Sequence, residues 1–291
     1  MKVAIYSKSF DRDTAMVVRR LQKTLCRYGC EPILHSSLQA FLQSNDNENA
    51  SFVGYYDLHH DTRYLVCVGG DGTFLESINL IRDRDISVMG INTGRLGFLS
   101  NISRTDLDKF IKKMAECKLS TEERTLLRVT VNNKPAFDFP CALNDAVIHK
   151  STAGLMTVHS WCNGEPLNSY WADGVIVSTP TGSTAYTLSV GGPIVASGSQ
   201  NFIISPIAAH NLNVRPLVIP DSVTLKLQPE CRSKDGYFTL SMDSRSVECR
   251  NGSIIEIKRA DFKIKTIKST SFYYSLRNKL MWGMDKRNIA E

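Results

Sequence analysis

No stretch of the 291 residues holds the roughly eighteen consecutive apolar residues that a transmembrane helix needs. The first residues, Met1-Lys-Val-Ala-Ile-Tyr-Ser7, read as a strand, without the apolar run and small-residue site of a secretory signal. Eight cysteines are scattered, and none forms Cys-x-x-Cys; the closest pair, Cys26 and Cys30, is one helical turn apart. A zinc or redox centre is therefore not expected, and reduced thiols place the chain in the cytoplasm. The six histidines form no ligand-spaced cluster, and His59-His60 is expected in a loop. Nor is there a block of Lys and Arg. The formal charge is only +6, from 35 basic against 29 acidic residues, which suits an anionic ligand and excludes a nucleic-acid tail. No Gly-Lys-Ser/Thr follows a glycine loop, so a Walker A site is absent, as are the dinucleotide Gly-x-Gly-x-x-Gly and the Gly-x-Ser-x-Gly elbow of serine hydrolases. There is no internal repeat and no low-complexity tract.

What is present is a chain with 42% hydrophobic residues, enough for one large or two ordinary domains. Over residues 1–120, apolar strands at 2–6, 32–35, 64–68 and 87–91 alternate with helical patterns at 13–28, 74–82 and 105–117. That alternation predicts a doubly wound α/β domain with parallel strands. Residues 44–58 are polar and read as a flexible loop. From residue 121 to 270 the texture is β-rich. Strands are predicted at 126–131, 142–148, 156–162, 175–178, 202–205, 223–227, 238–242, 254–258 and 262–267. Turn signals such as Asn163-Gly164, Asp235-Gly236 and Asn251-Gly252 separate them. Residues 271–291 form an aromatic, basic tail expected to return to the first domain.

Four segments carry polar chemistry at places where a core would not put it. Residues 68–73, Val-Gly-Gly-Asp-Gly-Thr, follow a buried strand and precede a helix. The backbone of Gly69, Gly70, Gly72 and Thr73 at a helix N-terminus suits phosphate. Asp71 would repel phosphate, so the loop must also serve a cation or a proton to be removed; a plain turn in which Asp71 caps the helix is the simpler alternative. Residues 91–100 again leave an apolar strand with two glycines. Arg95 offers a phosphate fork and Phe98 a face for adenine, unless this is an ordinary loop with Arg95 in solvent. Two such loops at the carboxyl edge of a parallel sheet are where open α/β folds bind ligands. Asn144-Asp145 interrupts an apolar strand; the pair suits a ribose diol or base edge, or is a self-satisfied bulge. Residues 171–195 crowd the hydroxyls of Ser178, Thr179, Thr181, Ser183, Thr184 and Thr187 around Pro180 and Gly182. Asp173 and the Tyr186 ring lie nearby, as if to read a nucleotide.

Taken in this order, the four segments resemble the NAD kinase family over essentially the whole chain. The Gly-Gly-Asp-Gly-Thr loop alone is shared with phosphofructokinases and lipid kinases. The segments around Asn144-Asp145 and over residues 173–194 are the specific ones. The resemblance implies an α/β domain and a β-sandwich-like domain with NAD in the cleft between them. It also implies a homodimer or homotetramer, ATP or polyphosphate as donor, and a divalent cation, Mg²⁺ being expected, with no protein ligand assigned to it. By the same likeness Asp71 is the general base toward the adenosine-ribose 2′-hydroxyl. Asn144 and Asp145 would hold the adenosine half, and Asp173 would meet the nicotinamide end. Thr181 and the run Thr184, Ala185, Tyr186, Thr187, Leu188 and Ser189 would line the pockets. Ala208 would make a backbone contact, and Arg245 a polar one. Two positions depart from the family: its usual Asn-Glu is Asn144-Asp145 here, and the often basic residue two before Asp173 is Trp171. A lipid kinase of the same superfamily would lack the Gly-Ser-Thr-Ala-Tyr segment, and a nucleotide sensor would not need Asp71; both are present.

Overall fold

The computed structural model describes residues 1–42, 51–94, 97–151, 154–211, 213–232 and 236–283. The chain divides into two compact units: residues 1–123 with the chain from Ile264 onward, and residues 124–263. The first unit runs β1 (Lys2–Tyr6), α1 (Arg12–Arg27), β2 (Glu31–His35), α2 (Ser36–Leu42), β3 (Ser51–Phe52), β4 (Thr62–Val68), α3 (Asp71–Ile81), β5 (Ser87–Ile91) and α4 (Leu107–Ala115). Its central strands are short apolar runs buried on both faces, as parallel strands covered by helices must be. They pair in parallel in the order β5-β4-β1-β2-β3. Helix α1 starts where the Asp11 carboxylate accepts the Thr14 N–H at 2.7 Å, and it buries Val17, Val18, Leu21 and Leu25. These meet Leu34, Val66, Met89 and Ile111 in one core. The chain turns back at β1, so the loops leaving β4 and β5 sit side by side at the carboxyl edge of the sheet.

Strand β6 (Thr121–Val131) carries the chain into the second unit. There follow β7 (Lys134–Pro135), β8 (Cys141–Ala142), β9 (Asp145–Lys150), β10 (Met156–Cys162), β11 (Glu165–Trp171), β12 (Gly174–Ser178), α5 (Tyr186–Ser189), β13 (Asn201–Ile207), β14 (Leu217–Pro220), β15 (Leu225–Cys231), β16 (Tyr237–Met242), β17 (Arg245–Arg250) and β18 (Ile255–Ile267). One antiparallel layer has the order β11-β10-β15-β18 and the other β14-β13-β12-β9-β16-β17. Val158, Leu225, Leu227 and Ile257 from the first layer share a core with Ile148, Val175, Phe202, Phe238 and Leu240 from the second. The sandwich follows from alternation: in β15, for example, every second residue is buried.

The far end of β18 belongs to the first unit: Thr266 pairs in parallel with Val88, and Ile267 enters that core. The chain then forms α6 (Phe272–Leu280), capped by the Ser271 hydroxyl. No helix among the described residues is long and apolar enough to cross a membrane. The expected loop at 44–58 contains β3 where it is described; residues 43–50 lie outside the described residues, as do Asp235 of one expected turn and Arg95. The strands expected at 254–258 and 262–267 are one, β18, with Ala260 buried between them.

Candidate active site

Asp71 is the first residue of α3, and Gly70 is the cap residue. The capping explanation fails, because the carboxylate turns away from its own helix. Its Oδ2 accepts the Phe98 N–H at 2.8 Å, and its Oδ1 accepts those of Leu99 and Ser100 at 3.0 and 2.8 Å. Backbone can wrap a carboxylate this closely only where a side chain is missing: a Cβ on Gly97 would lie 2.0 Å from Asp71 Oδ1. The wrapping loop is itself pinned. The Asn92 amide donates to the Ser100 carbonyl at 3.2 Å, and the Ser100 hydroxyl to the Gly70 carbonyl at 3.2 Å. A carboxylate offers about four acceptor positions. Three are taken here, and the one left is on Oδ2 of a side chain that remains partly exposed.

The glycine loop is more selective than its sequence implied. Gly70 and Gly72 are exposed at the N-terminus of α3, where an anion is favoured. Gly69 and Thr73 are buried, and the Gly69 N–H is spent on the Ile91 carbonyl at 2.9 Å. The Phe98 ring is half-buried, and the Lys279 ammonium lies 5.1 Å from its centroid. Lys279 also donates to the Gly97 carbonyl. It comes from the last turn of α6, and it was not anticipated from sequence.

In the second unit, Asn144-Asp145 sits at the head of β9, not within a continuous strand. The backbone between β8 and β9 leaves the ladder because another group satisfies it: Asp243 accepts the N–H groups of Leu143, Asn144 and Asp145 at 2.9, 2.8 and 3.4 Å. Asp243 holds a left-handed conformation, φ 50°, in the two-residue turn joining β16 to β17. The side chains of Asn144 and Asp145 have no protein hydrogen-bond partner among the described residues, so the self-satisfied bulge is excluded. Burial, with the charge of Asp243 added, pushes the Asp145 carboxyl up from 3.8 to about 7. Burial raises Asp243 too, but its three N–H donors and the Arg245 charge pull it back.

The hydroxyl-rich segment is largely bonded within the fold. Thr179 donates to the Leu143 carbonyl, Ser183 to Pro180, and Thr187 to Ser178, all in buried surroundings. Thr181 is buried and accepts from Arg124 at 3.4 Å. These bonds build the turn, and a Cβ on Gly182 would lie 2.2 Å from the Asn144 carbonyl, so the turn also clamps that residue. Thr184, Ala185, Tyr186, Leu188 and Ser189 remain at least partly exposed around α5, with the Tyr186 ring 41% exposed. Asp173 is paired with Lys150 of β9 at 2.5 Å. Ala208, at the exposed end of β13, has φ 46°, a strained value for a residue with a Cβ. The Arg245 guanidinium donates to the carbonyls of Phe139 and Cys141, both at 2.6 Å, and stacks on Phe137 and Phe139. Sequence reasoning missed Asp243, Lys150 and Lys279; an acid beside Arg245 in a turn was the visible signal for the first.

A cavity of about 710 Å³ opens at the opposite, amino-terminal ends of β1, β2, β4 and β5, among the paired charges of Lys2 with Glu31 and Lys265 with Asp85. It is on the wrong edge of the sheet for the two loops. A cluster with metal-ligand spacing among the described residues, His59, His60 and Asp61, lines no part of them either.

Comparison with known proteins agrees with this geometry. Residues 4–118 match the ATP-NAD kinase N-terminal domain, and residues 143–269 the ATP-NAD kinase C-terminal domain. The NAD kinase of Flavobacterium psychrophilum is 39% identical over 99% of this chain and its own whole length. That of Christiangramia forsetii is 40% identical with the same coverage. Among solved structures, yeast NADH kinase complexed with NADH superposes with a TM-score of 0.89 at 23% identity, covering 98% of this chain and 88% of that one. An NAD kinase from Archaeoglobus fulgidus in complex with ATP gives 0.76 at 26% identity, covering 97% and 98%.

Proposed function

The chain belongs to the NAD kinase family and phosphorylates NAD, and from that premise we propose that Asp71 is the general base that activates the adenosine-ribose 2′-hydroxyl, with ATP as donor. The observation that carries this is the seating of Asp71: three N–H groups fix its carboxylate, and one acceptor position on Oδ2 stays open. A hydroxyl donating there would place its oxygen to attack phosphorus while Asp71 takes the proton. The exposed backbone of Gly70 and Gly72 would receive phosphate oxygens.

In the second unit, Asn144 and Asp145 would meet the adenosine ribose, since neither side chain has a hydrogen-bond partner among the described residues. Tyr186 would stack on a base by its exposed face, and Asp173, oriented by Lys150, would meet the nicotinamide amide. Ala185, Leu188 and the backbone of Ala208 would close around the dinucleotide. The family generally uses a divalent cation. With the one open acceptor position on Asp71 given to the hydroxyl, the ion would be carried in by phosphate oxygens and water, as Mg²⁺ prefers. When bound, it would neutralise charge on the transferring phosphoryl group. Eight free cysteines support a reducing, cytoplasmic setting. Exposed Trp171, Leu217 and Val218 on β11 and β14 support assembly into a homodimer or homotetramer.

The test is Asp71→Asn. Amide for carboxylate keeps the shape but cannot take a proton, so kcat should fall by about 10²–10⁴-fold while the NAD dissociation constant changes little. Retention of more than about a tenth of wild-type kcat would sink the general-base role.

A further inference from the structure

The aspartate that activates the hydroxyl also repels the polyphosphate that must approach it. Some cation must offset that repulsion, and within the first unit the structure supplies one in Lys279. Helix α6 is held in place before it reaches the loop: the Ser269 hydroxyl donates to the Asn101 carbonyl at 3.4 Å, and the buried Ser275 meets Thr270 at 3.1 Å. The last turn of the helix then sets the Lys279 ammonium over the Phe98 ring and on the Gly97 carbonyl. An ammonium has three N–H donors. Gly97 takes one, and the other two have no partner among the described residues. A helix-end lysine resting on a carbonyl is common and needs no ligand. Lys279 differs because it is half-buried beside Phe98, whose own N–H seats Asp71.

We propose that Lys279 binds the terminal phosphate of the phosphoryl donor, compensating the Asp71 charge and fixing the donor against the hydroxyl to be phosphorylated. The proposal rests on the phosphoryl-transfer reading above. Burial holds the Lys279 pKa below the ordinary lysine range, and the negative charge of Asp71 works against that shift. A cation partly stripped of water, with two open donors, gains more from an anion than a solvated one does.

The experiment uses the full chain with Lys279→Met, Lys279→Gln and Lys279→Arg. Each is checked by circular dichroism; if the methionine variant fails to fold, the glutamine one replaces it. Inorganic tripolyphosphate with Mg²⁺ is titrated calorimetrically into each protein, and KM is measured for ATP and NAD separately. Loss of the ammonium should weaken tripolyphosphate binding and raise the ATP KM by about tenfold or more. The NAD KM should stay within about twofold, and Lys279→Arg should recover most of the affinity. In the wild type, kcat/KM for ATP should fall at alkaline pH as Lys279 loses its proton, and that limb should vanish in Lys279→Met. Unchanged tripolyphosphate affinity and ATP KM would overturn the proposal. So would a fall in kcat with both KM values moved equally, which would mean that Lys279 only pins Gly97. Failure of the wild type to make NADP would instead remove the phosphoryl-transfer reading, and the tripolyphosphate titration would still judge Lys279.

Discussion

At the scale of single residues, Tyr186 and Asp145 divide the labour of holding a nucleotide between an exposed ring and a buried acid. The Tyr186 ring is 41% exposed, and its hydroxyl makes no hydrogen bond among the described residues. Tyr186→Phe should therefore be mild, whereas Tyr186→Ala should cost roughly 1–3 kcal/mol of NAD affinity through lost stacking. Equal losses in a binding titration would implicate the hydroxyl. Asp145 makes a stability prediction. Its carboxyl is raised by burial to about 7 in the folded protein against 3.8 in the open chain. Below pH 4 both states hold the proton. Between pH 4 and 7 the unfolded chain releases it and the folded chain does not, so unfolding is favoured as pH rises. The stability contributed by the neutral acid is thus complete below its unfolded value and lost through pH 7, by on the order of a few kcal/mol. Asp145→Asn, neutral throughout, should flatten that part of the curve in urea unfolding of the ligand-free protein; parallel curves would show that Asp145 holds no proton. Both residues were legible in the sequence because each is chemically out of place, an acid in an apolar run and an aromatic amid small hydroxyls. Asp243 was not, for an acid in a turn is ordinary, and its three partners lie about a hundred residues away. The buried hydroxyls are ambiguous for a related reason: a serine that bonds a carbonyl of the fold looks the same in sequence as one that awaits a ligand.

At the scale of elements, the strands longer than two residues that sequence pattern missed are β11, β14 and β17, all at sheet edges. Edge strands bury little and tolerate proline, so β11 carries Pro166, β14 ends on Pro220, and β17 is mostly exposed. Apolar alternation, which revealed the interior strands, is weakest there. The short helix α2 was missed because seven residues give a helical period little room to show. The loops after β4 and β5 were recognisable by their glycines, but not their mutual grip, in which one loop's backbone seats the other's carboxylate. That grip is testable. Gly97→Ala would place a methyl 2.0 Å from Asp71 Oδ1, forcing the carboxylate or the loop to move, whereas Gly94→Ala meets nothing within 4 Å. Displacing a catalytic group by about 1 Å costs about a hundredfold. Gly97→Ala should therefore lower kcat on that scale with a modest change in melting temperature, and Gly94→Ala should leave kcat near wild type. Equal kcat values for the two variants would show that the wrapped geometry is not what catalysis uses.

For the whole molecule, the division of the chain is uneven in a way that bears on folding. The second unit is continuous, residues 124–263, and its two layers close on a core of their own. The first is discontinuous: residues 1–123 are completed by the chain from Ile264 onward. That returning piece is integral to the unit. Ile264 and Ile267 are buried, Thr266 pairs with Val88 beside β5, and Lys265 bonds Asp85 at 2.7 Å. Without it, β5 would be a bare edge of an otherwise parallel sheet, a poor situation for a strand built to be covered. Residues 124–263 expressed alone should consequently unfold in one cooperative step. Residues 1–123 alone should be aggregation-prone or only marginally folded, and joining them to residues 264–291 by a short Gly/Ser linker should restore a cooperative transition. Burying two isoleucines is worth about 3–6 kcal/mol, a large share of a domain's net stability of about 5–15 kcal/mol. The exposed Lys265–Asp85 pair adds little. Urea unfolding followed by circular dichroism distinguishes the cases: equal midpoints for residues 1–123 with and without the returning segment would show that the α/β unit is complete before the chain comes back to it, and that Lys279 is delivered by an appendage, not by an integral part of the fold.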